Sequence, residues 1–146
     1  MRILALDYGS KRIGVAVSDA LGLTAQGKGV ITRKDLREDL KKIEEYIDEY
    51  NVEKIIVGMP RNMDGSYGPR AEKTRQFITF LRRRLTLPVE TWDERLSSAE
   101  AERVLISGDV SRAKRKKVID QVAAAIILQG YLDSKDRGGN NNGRGK

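Results

Sequence analysis

Ile3-Leu4-Ala5-Leu6-Asp7-Tyr8-Gly9-Ser10-Lys11-Arg12-Ile13-Gly14-Val15-Ala16-Val17-Ser18 reads as two strands around a turn. Ile3 to Tyr8 is a short apolar run that ends in an acid. Alternation puts Ile3, Ala5 and Asp7 on one pleat face and Leu4 and Leu6 on the other. The polar turn Gly9-Ser10-Lys11-Arg12 leads into a second alternating run, Ile13 to Ser18, and two such runs joined by a glycine-containing turn predict a β-hairpin. The glycine-rich stretch from Leu23 to Thr32 has weak apolar content and is expected to be a third, edge strand.

Helical spacing begins at Leu36, Leu40, Ile43, Ile47 and Tyr50, with a start signal between Thr32 and Asp35. Lys54-Ile55-Ile56-Val57-Gly58 then reads as a buried strand, β-branched and almost wholly apolar. A loop from Met59 to Pro69 precedes a second helix marked by Ala71, Thr74, Phe77, Ile78, Leu81 and Leu85. Val89 to Trp92 is a further strand running into Asp93-Glu94, and Ser97-Ser98-Ala99-Glu100 has the form of a capping box for a third helix ending at Gly108. A longer helix from about Ser111 to Asp133 completes the domain. Ser134 to Lys146, with four glycines and three asparagines, is expected to be disordered. The order β-β-β-α-β-α-β-α-α predicts an α/β domain over residues 1–133. Its mixed sheet should carry helices on both faces, with the later strands pairing parallel through right-handed crossovers.

The chain has 146 residues, the size of one domain, and contains no histidine and no cysteine. Serine or cysteine triads, thiolate or imidazole metal sites, imidazole acid–base chemistry and disulfides are therefore excluded. The longest apolar run, Val122 to Leu128, is far below the roughly 20 residues of a membrane span. Asp7 interrupts any signal-peptide core, so a cytoplasmic protein without membrane contact is expected. The net charge of +7 is concentrated. Arg112, Lys114, Arg115, Lys116 and Lys117 form one cluster and Arg82-Arg83-Arg84 another, and together they exceed the whole net charge. This distribution suits a phosphate-binding surface; the alternative is a solvated face plus charges offsetting a helix C-terminus, which fits the Arg82 cluster well.

Three acids interrupt apolar structure. Asp7 ends the first strand, Glu94 follows the last, and Asp120 shares a helix face with Ala123, Ala124 and Ile127. An ionised carboxylate among core residues is costly unless a positive charge compensates it. Each acid also has a plain reading: a turn former, a helix-start acid, or a partner of Lys116 or Lys117. Taken together, acids from strand ends cluster at the sheet edge where open α/β sheets bind ligands. Such a set can hold two hard divalent cations, Mg²⁺ or Mn²⁺, through oxygen alone, about 3.5–4 Å apart as in phosphodiester hydrolysis.

Asp7-Tyr8-Gly9-Ser10 with Ile13-Gly14-Val15-Ala16-Val17 also resembles the first phosphate hairpin of actin-like ATPases and sugar kinases. Those proteins close two such domains over a nucleotide, whereas this chain has no second hairpin, so no nucleotide cofactor is expected. Four segments together resemble the YqgF/RuvX family of pre-16S rRNA nucleases and Holliday junction resolvases. They are Leu4 to Ala16, Val57-Gly58-Met59-Pro60 with Asn62-Met63-Asp64-Gly65, Asp93-Glu94-Arg95-Leu96-Ser97-Ser98, and Ile119-Asp120 with Ala123-Ala124. The resemblance spans about residues 1 to 132. It implies an RNase H-like fold with a five-stranded mixed sheet in the order 3-2-1-4-5, and Asp7, Glu94 and Asp120 as metal-binding catalytic acids.

Many RNase H-like nucleases carry an acid at the end of the fourth strand, where this chain has Gly58-Met59-Pro60, and its acidic pair after the fifth strand makes Asp93 a further candidate ligand. Lys11, Arg12, Arg61, Asn62 and Arg70 are candidate phosphate contacts at the same edge, and Arg112 to Lys117 are placed to guide a backbone toward Asp120. The expected substrate is structured nucleic acid. Maturation of the 5′ end of pre-16S rRNA is favoured by the resemblance, with junction resolution as the second reading. A four-way junction needs two coordinated cuts and would call for a homodimer. A non-catalytic RNA-binding assembly factor is the third reading, against which the three acids argue.

Overall fold

In the computed structural model the described residues are 1–60, 67–93 and 112–145, and side chains of the last segment are described for 119–135. The elements are β1 (Arg2–Tyr8), β2 (Arg12–Ser18), β3 (Ala25–Thr32), α1 (Leu36–Tyr50), β4 (Val52–Met59), α2 (Pro69–Arg84), β5 (Val89–Asp93) and α3 (Arg112–Gly145). The five strands form one sheet in the order β3-β2-β1-β4-β5, as the sequence reading expects. β1 pairs antiparallel with β2 and parallel with β4, so the central strand lies where the chain changes direction across the sheet. β5 pairs parallel with β4.

Alternation along each strand divides the core in two. Leu4, Leu6, Val15, Val57 and Val89 join α1 and α2 residues on one face, including Leu40, Ile43, Phe77 and Leu81. Ile3, Ala5, Ala16 and Ile56 face the other way, against Ala124, Ile127, Leu128, Tyr131 and Leu132 of α3. Small residues on this second sheet face let α3 approach closely. A β-carbon on Gly14 would collide with the carbonyl group of Asp120, and one on Gly27 would lie 2.6 Å from Cγ of Gln121.

Several boundaries differ from the sequence reading. The edge strand begins at Ala25, because Asp19 accepts hydrogen bonds from the Leu23 and Thr24 amides and holds the preceding residues in a turn. β4 is longer than expected at both ends. α1 starts after Asp35, whose carboxylate accepts from the Glu38 amide, and ends at Asn51 in the left-handed conformation, φ 52°. α3 is assigned to Gly145, and within it Lys135 Nζ lies 3.2 Å from the Tyr131 hydroxyl one turn earlier. The helix expected from Ser97 to Gly108 lies outside the described residues.

Candidate nuclease site

The C-terminal ends of β1, β4 and β5 and the start of β2 lie at one edge of the sheet, because β2 runs antiparallel to the other three. Asp7 is the penultimate residue of β1 and is buried, 8% exposed, on the α3 face shared with Ile3 and Ala5. Its cross-strand partner in β2 is Gly14. The backbone of Asp120 rests on that same Gly14, so one glycine neighbours both Asp7 and the backbone of a residue 113 positions after it. Asp120 reaches this place because Ala123, Ala124 and Ile127 on its helix face are buried against the sheet.

Arg12 stands two residues before Gly14 on the same face. Its Nε donates to Oδ2 of Asp120 at 2.5 Å, with the two side chains 28% and 22% exposed. The side chains of Lys116 and Lys117, offered by the sequence as partners of Asp120, lie outside the described ones; among the described side chains Asp120 pairs with Arg12, brought from the other end of the chain.

The hairpin tip that carries Asp7 and Arg12 is closed by a hydrogen bond from the Gly9 amide to the Arg12 carbonyl, 2.9 Å. Arg33, which the sequence reading passed over, fastens this tip. Its Nη1 donates to the carbonyls of Gly9 (2.8 Å) and Ser10 (3.0 Å), and its guanidinium lies 4.3 Å from the centre of the Tyr8 ring. Tyr8 in turn stacks on Phe77 at 4.0 Å, and burial pushes its phenol pKa up. No sequence pattern marks Arg33, since a single basic residue after an edge strand is ordinarily a solvent-facing charge.

Lys11 is exposed at the hairpin tip, and Arg70 is exposed in the first turn of α2, just beyond the β4 edge. Glu94, Arg61 and Asn62 lie outside the described residues. Arg112, Lys114, Arg115, Lys116 and Lys117 occupy the first turns of α3. A helix N-terminus is electropositive, so helix electrostatics do not explain five cations there. The Arg82 cluster is different: it ends α2, where cations oppose the dipole, and Arg82 donates through Nε and Nη2 to the carbonyl of Val89 (3.1 and 2.6 Å).

Asp93 is the last residue of β5. Strand alternation groups it with Val89 and Thr91 on the α1/α2 face, while Trp92 packs on the α3 side. The pleat therefore sets Asp93 on the opposite face from Asp7, which argues against its sharing an ion with Asp7 and Asp120. Among the described residues no cluster of three or more acids is placed to hold a metal ion. Two oxygen-donor carboxylates in a chain without histidine or cysteine fit a hard divalent cation and no soft one.

Comparison with known proteins gives a consistent picture. A family model described as "RuvX: Holliday junction resolvase" matches residues 1–134. The chain is 67% identical over 137 residues to a "Putative pre-16S rRNA nuclease" of Halothermothrix orenii, covering 94% of this chain and 98% of that protein. It is 58% identical to a protein of the same description from Geobacillus kaustophilus, with 92% and 99% coverage. Among solved structures, T. thermophilus RuvC in complex with a Holliday junction superposes with a TM-score of 0.57 at 15% identity, covering 92% of this chain and 95% of that one. Fowlpox virus resolvase with its junction DNA gives 0.54 at 16%, covering 92% and 98%. At these identities the structural likeness establishes the fold, an RNase H-like sheet, and nothing finer.

Proposed function

The chain belongs to the RuvX family, and from that premise we propose that it is a divalent-metal-dependent nuclease of structured nucleic acid, acting on the 5′ end of pre-16S rRNA. The observation that carries the reading is that Gly14, the sheet partner of Asp7, also takes the backbone of Asp120 against it at the strand-end edge. A buried carboxylate such as Asp7 is unfavourable without compensating interactions. Acids carried to one sheet edge beside basic residues make sense where cations and phosphates are to be held together.

In this reading Asp7, Asp120 and Glu94 would hold Mg²⁺ or Mn²⁺, which would supply charge neutralisation at the phosphate and activation of water. The chain itself supplies position: the β1–β2 hairpin fixes Asp7, α3 carries Asp120 to it, and Arg33 keeps the hairpin tip rigid. Lys11 and Arg70, with Arg61 and Asn62, would take the flanking phosphates, and the Arg112–Lys117 cluster the backbone further along. The protein would act in the cytoplasm, where its substrate is made.

The test is cleavage by purified protein with Mg²⁺ or Mn²⁺ on a panel of rRNA precursor, single-stranded RNA, duplex and four-way DNA junction. Asp7→Asn is expected to abolish cleavage while preserving or strengthening binding. Cleavage that persists in that variant overturns the metal-acid assignment. The family description favours the junction as second substrate, and preferential cutting of the junction by a dimer would select it. Binding without cleavage on every substrate would select a non-catalytic assembly factor.

A further inference from the structure

We propose that Arg12 is an exchangeable counter-charge for Asp120: it holds this carboxylate until a divalent cation displaces it, and the freed guanidinium then takes a substrate phosphate. The inference rests on the metal-dependent reading above and adds to it an order of events within the site.

Two arginines near the hairpin tip can be compared. Arg33 is hydrogen-bonded to two backbone carbonyls and lies over the Tyr8 ring, with the Asp39 carboxylate at 4.0 Å, beyond hydrogen-bond reach. Carbonyls carry no net charge and do not attract a divalent cation away from the protein's own contacts. Arg12 is held differently, by an ionised carboxylate that is itself a candidate metal ligand, at 2.5 Å. It is anchored on β2 two residues from Gly14, the glycine that pairs with Asp7 and takes the Asp120 backbone, so its charge stands against Asp120 at the same sheet edge.

Exposure decides whether this pair can exchange. A fully buried ion pair is strongly disfavoured from opening, because one charge is left behind without solvent. Roughly a quarter of each side chain here reaches water, so Arg12 can leave Asp120 without being stranded. A divalent ion outcompetes a single guanidinium for the carboxylate, and a guanidinium matches a phosphate as well as it matches a carboxylate. Both exchange partners thus suit the groups they meet.

The experiment has one arm without metal and one with it. In EDTA, binding of an RNA stem-loop with a single-stranded 5′ extension is measured against salt concentration for wild type, Arg12→Gln, Asp120→Asn and the double variant. Each phosphate engaged adds about 0.7–0.9 to the log–log slope. Arg12→Gln should leave the wild-type slope unchanged, because Asp120 already occupies that arginine. Asp120→Asn should steepen the slope by about one contact, and adding Arg12→Gln should cancel the increase. A slope that falls in Arg12→Gln alone, or fails to rise in Asp120→Asn, overturns the proposal.

In the second arm, calorimetric Mn²⁺ affinity should rise about tenfold in Arg12→Gln, since a charge at this range shifts a carboxylate's equilibrium by one to three decades. Circular dichroism checks its fold. Arg12→Lys, which keeps the charge but loses the planar fork, should tighten Mn²⁺ binding severalfold and serves if the glutamine variant does not fold. Unchanged or weaker Mn²⁺ binding in both variants overturns the exchange. A wild-type protein that takes up no Mn²⁺ overturns the metal-dependent reading beneath it, while the EDTA slopes still report whether Asp120 restrains Arg12.

Discussion

Gly14 is the residue through which the site is assembled. It pairs with Asp7 in the sheet and bears the backbone of Asp120, so any side chain there collides with the Asp120 carbonyl. Gly14→Ala is expected to destabilise the fold by about 1–3 kcal/mol through overpacking and to lower metal affinity and cleavage further than stability alone explains, as α3 is pushed off the sheet. Thermal melting with Mn²⁺ titration on the same samples checks this; a variant with normal metal binding would show that the close approach has no role in the site. A glycine inside an alternating strand is a legible signal that another backbone comes near. Which backbone it meets is not legible. Arg33 is the opposite case, a residue whose importance comes wholly from the Tyr8 ring and the hairpin carbonyls around it.

At the scale of elements, α3 is docked by a polar network as well as by its apolar face. Lys54 of β4 contacts Glu90 of β5 at 2.6 Å and the Tyr131 hydroxyl of α3 at 3.0 Å. Burial acts to lower the Lys54 pKa, but the bonds to Glu90 and Tyr131 outweigh it and the net shift is upward. The hydrogen bond from Lys54 holds the Glu90 carboxyl below its ordinary 4.5. A depressed carboxyl contributes stability that is present above its unfolded value and is lost as pH falls through the folded one. Wild type should therefore exceed Glu90→Gln in melting temperature near pH 7, with the gap closing as pH drops below about 4.5. A gap constant down to pH 3 would mean the pair contributes nothing through charge. The N-terminal turns of α3 make a separate prediction. Replacing Arg112, Lys114, Arg115, Lys116 and Lys117 by Ala should weaken nucleic-acid binding and reduce the salt slope by several contacts, each worth about 0.7–0.9; an unchanged slope would leave the cluster without this role. The cluster's charge was plain from the sequence, and its position at the helix end that repels cations sharpened the reading.

For the whole molecule, the second core layer links stability to function, because the helix that fills it also delivers Asp120. Leu128 is fully buried between α3 and the sheet. Leu128→Ala is expected to cost about 2–5 kcal/mol and to reduce cleavage and Mn²⁺ affinity together, measured by denaturant unfolding and calorimetry. Full metal affinity in a destabilised variant would separate α3 docking from the site. The two-sided helical cover and the hairpin were legible in advance, since alternation and helical spacing are local patterns repeated along the chain. The strand order was not in those patterns and came from the resemblance to the RuvX motifs.

Sequence alone determined the chemistry available to this protein. Without histidine or cysteine, ligation and proton transfer fall to carboxylates, lysines, arginines, hydroxyls and backbone, and the resemblance to the RuvX motifs implies which acids are the candidates. Only the tertiary structure decided the pairings. Arg12 meets Asp120, and the Asp120 backbone lies on Gly14, because packing α3 on the sheet joins residues more than 100 positions apart. The pleat turns Asp93 to the face away from Asp7, although it stands in sequence beside Glu94. Periodicity records which face a residue occupies, but contact between distant faces is created by burial of the core between them, which no local pattern encodes.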